Sequence, residues 1–203
     1  MTEALLALHY QNEVLHADGK IRVGMAKDDP ARLAVVATAK RLLSGARRTG
    51  VPVVSVRIAF RPDYRDVVRN CPIFRNVVKL GAMAEGSWGA AFHDGLGPLP
   101  DELVVKHGRV NAFYGSPLEE ALRALGATRL VVAGVATNSV VEHTARHAAD
   151  IGFEVTVASD ACSSGDRSLH AASLRNLALV AEIRTTAQVV AAWRRRVARG
   201  GQR

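Results

Sequence analysis

The sequence predicts a three-layer α/β/α domain with a mainly parallel, Rossmann-like sheet of about six strands. Three observations carry this expectation. Short apolar runs alternate with longer amphipathic stretches along nearly the whole chain. The stretches between the runs are long enough for helical crossovers, which parallel strands require. The runs are also apolar at consecutive positions, as in strands covered on both faces.

Each element has its own signal. Residues 4–8 form a continuous apolar run and read as the first strand. Residues 30–49 place Leu33, Val36, Ala37, Leu42 and Leu43 at helical spacing and stop at Gly50. Residues 51–56 are a second strand, with Pro52 near its start where a ladder donor can be spared. Residues 102–106 are a third. Residues 116–125 read as a helix, with Ser116 at the N-cap, Pro117 at the first helical position and Glu119 at the capping-box position. Residues 129–133 are a fourth strand, 138–150 a helix ended by Gly152, and 154–158 a fifth strand. A helix over 170–180, a short strand over 182–186 and a terminal helix complete the chain. Residues 61–100 form the longest irregular stretch, of the kind that usually carries function or binds partners.

Composition narrows the function classes. The 203 residues suit one domain, here residues 1–193, followed by a basic tail over 194–203. Hydrophobic residues at 48% and charged residues at 23% are ordinary globular values. The longest apolar runs are too short to span a bilayer, so no membrane role is expected. The start shows no basic segment, apolar stretch and cleavage site in sequence, and the two cysteines suggest no disulfide framework. A cytoplasmic protein is the expectation. The net charge of +8 invites a nucleic-acid reading, but 5 of the 27 Lys and Arg residues crowd into the last ten positions and aromatics are only 5%. No nucleic-acid partner is expected.

Ligands of doubly wound sheets bind outside the carboxyl ends of the strands. That rule singles out residues 9–11, 57–61, 106–113 and 134–140. Three of these stretches carry recognisable patterns. Residues 8–15 (Leu8, His9, Tyr10, Gln11, Asn12, Glu13, Val14, Leu15) are similar to a D-x-Q-N-D-F motif. Residues 106–118, with Lys106, Arg109, Ala112, Phe113, Gly115 and Leu118, are similar to K-x-R-x-x-A-F-x-G-T-x-L. Residues 134–148, with Gly134, Val135, Thr137, Val140, Val141, Thr144 and Ala148, are similar to G-V-x-T-x-x-C-V-x-x-T-x-x-x-A. All three belong to the isochorismatase-like cysteine hydrolases, and the resemblance runs from about residue 4 to 190.

The resemblance implies a site and a problem. In the family a cysteine at a helix N-terminus attacks a carbonyl, an aspartate takes its proton, a lysine tunes the pair, and amides beside a cis peptide hold the oxyanion. In this sequence the cysteine position is Val140 and the aspartate position is His9. Lys106 matches the lysine with a one-residue insertion before Ala112. An ungapped alignment puts His107 there; Lys106 is taken because it directly ends the strand. The cis bond is expected at Val135-Ala136, with the amides of Ala136 and Val140 as oxyanion donors. Gln11, Arg57, Arg61, Trp88, Arg109, Phe113 and Asn138 are the candidate substrate contacts. A cationic Lys106 would keep His9 in its neutral base form.

Three readings follow. One is an enzyme acting on a small carbonyl or carboxylate metabolite by acid–base chemistry through His9 and Lys106. The second is an inactive homologue that serves as a partner or binds a small molecule. The third is a hydrolase with a displaced nucleophile, with Cys162, Cys71 and Ser139 as the residues to consider. His143 and His147 stand four apart on a helix, a spacing that can bind zinc. They read better as a solvated pair beside the Glu142–Arg146 ion pair. No metal or cofactor is expected, and the resemblance implies a homo-oligomer, a dimer or a tetramer.

Overall fold

The computed structural model describes residues 2–200. Its centre is a six-stranded sheet: β1 (Thr2–Leu8), β2 (Val53–Ile58), β3 (Leu103–His107), β4 (Ala127–Gly134), β5 (Glu154–Ala158) and β6 (Glu182–Arg184). The strand order is β3-β2-β1-β4-β5-β6 and every pairing is parallel. The middle strands β1 and β4 are the most continuously apolar because helices cover both their faces. Leu5, Leu6 and Leu8 of β1 and Val132 and Ala133 of β4 are wholly buried. Burial of each such leucine contributes about 1.5–3 kcal/mol. The direction of winding reverses between β1 and β4, and the crevice of such a sheet opens at that reversal.

Seven helices supply the outer layers: α1 (Asn12–Leu15), α2 (Arg32–Arg48), α3 (Pro72–Leu80), α4 (Leu118–Ala124), α5 (Glu142–Asp150), α6 (Arg167–Leu177) and α7 (Thr186–Gly200). Among the described residues no helix is long and apolar enough to cross a membrane. Helix α3 lies inside residues 61–100, the longest stretch expected to be irregular. Its signals are local: Pro72 at the first position and Gly81 at the C-cap in a left-handed conformation, φ 58°. Phe74 and Val77, three apart, are its buried residues.

Several boundaries shift for identifiable reasons. β3 ends one residue later than expected, at His107. The stretch expected to open a helix at 138 begins as a π-helical turn, Thr137–Val141, before α5 starts at Glu142. α6 starts at Arg167 because the Asp166 carboxylate accepts the Ser168 N–H at 2.7 Å. Ser116 does accept the Leu118 N–H (3.2 Å), although α4 proper begins at Leu118.

Residues 194–200 continue α7. The boundary drawn at 193 therefore falls inside a helix, and 201–203 lie outside the described residues. Trp193 is buried and donates its indole N–H to the Glu3 carboxylate, which Arg196 also holds at 2.9 Å. The C-terminal helix is thus fastened to the first strand. It packs closely on α2, where a Cβ at Gly45 would stand 2.6 Å from a Val190 methyl carbon.

Candidate active site

Three strand ends converge. His9 directly follows β1 with φ 54°, a left-handed backbone in which histidine is several-fold enriched among non-glycine residues. Its N–H donates to the Val56 carbonyl at 2.9 Å, which ties the turn to β2. Beside it β4 ends at Gly134, where a Cβ would sit 2.1 Å from the Leu8 carbonyl oxygen, so only glycine lets the two strand ends pass. The Val135-Ala136 peptide bond that follows is cis. The third end is His107, whose register partner on β2 is Ile58.

Alternation along β3 decides which residue faces the site. Successive strand side chains point to opposite faces. His107 is 3% exposed, whereas the Lys106 side chain is 51% exposed. His107 therefore points inward, with its Nε2 2.5 Å from His9 Nε2 and the two rings stacked at 4.8 Å between centroids. The structure brings His107, and not Lys106, to His9. Lys106 instead bonds the Glu85 carboxylate at 3.0 Å, and Arg57 holds the other oxygen of that carboxylate at 2.5 Å. These two contacts, Lys106 first, pull the Glu85 carboxyl below its ordinary value.

Burial sets the charge of the histidine pair. It pushes the His9 pKa well below 6.5, and the neighbouring His107 pushes the same way. Burial takes His107 down to about 4, opposed in part by the Asn111 backbone. Both rings are thus neutral at pH 7 and share one hydrogen bond. His107 Nδ1 is buried and has no hydrogen-bond partner among the described residues.

His9 lines a cavity of about 40 Å³ with Val14, Ile58, Phe74, Arg109 and Ser139, closed by Val135 and Ala136. A water needs roughly 10–15 Å³ of such space, so the cavity fits a few heavy atoms. Helix α3, which the sequence reading missed, supplies Ile73, Phe74 and Val77 as one wall.

Of the residues expected to contact substrate, Arg109 alone lines this cavity. Its guanidinium lies 4.3 Å over the Phe74 ring and donates to Asn70 Oδ1 and the Val68 carbonyl. The others serve the frame. Gln11 is wholly buried: its Nε2 donates to Ile58 and Ala90 carbonyls and its Oε1 accepts the Ile58 N–H. Arg61 bonds Asp63 on the surface. Trp88 is half exposed and meets the edge of His16. Phe113 stacks on His147 and lies tilted against Phe153, and Asn138 accepts from Ser164.

Residue 140 is a buried valine at the π-helical turn. Cys162 is buried, donates to the Ala158 carbonyl at 3.3 Å, and has its thiol pushed up to about 12 by burial. It stays protonated and makes a poor nucleophile. Cys71 is half-buried at the start of α3. His143 bonds the Ser139 carbonyl while His147 lies against Phe113, so the two do not converge. Among the described residues no group of three or more His, Cys, Asp or Glu side chains is placed to hold a metal.

Residues 3–188 match the isochorismatase domain. The chain belongs to the isochorismatase family. The ureidoacrylate amidohydrolase RutB of Methylobacterium radiotolerans is 35% identical over 158 residues, covering 70% of this chain and 60% of its own length. The isochorismatase family protein YecD of Escherichia coli is 30% identical over 157 residues, covering 77% of this chain and 81% of its own. Among solved structures, an isochorismatase family protein from Burkholderia thailandensis superposes with a TM-score of 0.79 at 28% identity, over 95% of this chain and 96% of that one.

Proposed function

We propose that this isochorismatase-family chain is an enzyme that uses His9 as a general base, held by His107, on a small carbonyl-bearing metabolite without a cysteine nucleophile. The observation that carries this is the neutral His9–His107 pair at the edge of the cavity. Val140 stands where the family motif has its cysteine and His9 where it has its aspartate. In this reading His107 keeps a proton on Nδ1, toward Asn111. Its Nε2 accepts from His9 Nε2–H, and His9 Nδ1 is left free to take a proton. His107 then orients the base much as a carboxylate orients the histidine of a serine hydrolase.

The step is general-base hydrolysis. His9 Nδ1 takes a proton from water as the water oxygen bonds to the substrate carbonyl carbon. The carbonyl oxygen gains the electron pair beside the Ala136 and Val140 amides. That pair then returns to carbon, the bond from carbon to the leaving nitrogen or oxygen breaks, and the leaving group takes the proton from His9. Arg109, which has no carboxylate partner among the described residues, suits a substrate carboxylate at the rim. Curated relatives carry the name ureidoacrylate amidohydrolase, which makes small ureido amides the first substrates to try.

The experiment is a turnover screen of small amides, ureas, esters and 2-oxo acids with four proteins. His9→Ala and His107→Ala should each lose activity about 10²-fold or more, while Cys162→Ser and the parent stay equal. Turnover retained in His9→Ala removes this mechanism. The small, mainly apolar cavity favours a second reading, a binding protein without activity. Saturable binding of a screened compound with no turnover would establish that one instead. An acyl-enzyme seen by intact mass would establish a displaced nucleophile.

A further inference from the structure

A second concavity lies between α2 and α7. It has a volume of about 550 Å³ and shares no lining residue with the cavity at His9. It starts at Asp160 and Thr186, just past the carboxyl ends of β5 and β6, the edge of a parallel sheet where ligands bind. From there it runs between the helices and is lined by Arg41 and Arg48 of α2 and Arg194 and Arg195 of α7.

One observation makes this more than a basic surface: none of the four guanidinium groups that line it forms an ion pair among the described residues, whereas Arg47, Arg57, Arg146, Arg184 and Arg196 each do. Arg41 and Arg48 rest on hydroxyls of their own helix, Thr38 and Ser44. Asp160 is the one carboxylate of the groove, and its Oδ1 is already committed to the Thr186 N–H at 2.7 Å.

We propose that this groove is a binding site for a phosphorylated small molecule. Arginine forks match phosphate oxygens in bidentate fashion, and four forks facing one groove suit a doubly charged phosphate or a diphosphate. The volume accommodates a diphosphate with an attached organic group.

The test is calorimetric titration of the full chain with inorganic pyrophosphate at low and at physiological salt. The expected result is saturable binding with one site per chain. Affinity should fall about tenfold or more in the double variant Arg48→Ala, Arg194→Ala. Circular dichroism checks that each variant folds. Arg65→Ala, in the loop after β2, and His9→Ala should bind as the parent does. Absence of binding overturns the proposal. So does an equal loss in Arg65→Ala, which would reduce the effect to net charge. Binding of short duplex DNA through the same arginines without binding of pyrophosphate also overturns it, in favour of a nucleic-acid surface.

Discussion

His9 Nε2 and His107 Nε2 stand 2.5 Å apart although 98 residues separate them in sequence. β2 lies between the strands that carry them, so the contact forms across it at the carboxyl edge of the sheet. Two imidazoles this close cannot both be charged at modest cost, and burial already holds both neutral.

This sets a pH dependence of stability. The folded pKa of His107 is about 4, against 6.5 for an unhindered histidine, and that of His9 is lowered in the same direction. The unfolded chain therefore binds more protons below pH 6.5, and stability falls as pH drops from there towards 4. The His107 contribution lost is on the order of 3 kcal/mol once pH is below its folded value. Urea melts at pH 7.5 and pH 4.5 measure it. His107→Gln should flatten the slope, and an unchanged slope would show that other groups set it.

Lys106 and His107 are neighbours with opposite expected phenotypes. Lys106→Ala removes a surface pair with Glu85, worth about 0–1 kcal/mol. Turnover on any substrate found should stay within about twofold, and the melting temperature should barely move. A loss in Lys106→Ala comparable to that in His107→Ala would return the lysine to the site.

Cysteine labelling should separate the two thiols. Cys162 is buried with its thiol pushed up to about 12, whereas Cys71 is half-buried at the start of α3. Iodoacetamide at pH 8 should add one label to the native chain, at Cys71, and two after denaturation. Peptide mass mapping reads the position. Fast native labelling of Cys162 would contradict the burial described.

The C-terminal helix should be essential to stability. Trp193→Phe keeps most of the buried ring but leaves the Glu3 carboxylate one donor short. The cost should be about 1–3 kcal/mol by chemical denaturation. Trp193→Ala adds the cavity, for a total of roughly 3–5 kcal/mol. A neutral Trp193→Ala would mean that α7 frays from the first strand.

By itself the sequence determined the architecture. Near-continuous apolar runs at crossover spacing can only be parallel strands buried on two faces, and the motifs around His9, Arg109 and Val135 identify the family. It also points to the strand ends as the candidate site, because parallel sheets open there. It did not determine which residue of the pair Lys106 and His107 faces His9. A strand alternates faces at every residue, so a one-residue uncertainty in where β3 ends inverts the answer, and only its pairing with β2 fixes that end. Tertiary structure also decided the fates of Gln11 and Arg57. Their polar groups are taken by the Ile58 backbone and Glu85, 47 and 28 positions away, and no local pattern reveals such partners. Arg61 is held locally, by Asp63 two positions on. The basic C-terminal residues show the same limit. Their composition resembles a solvated tail, yet Trp193 buries and Arg196 pairs with Glu3 because the first strand ends up beside them.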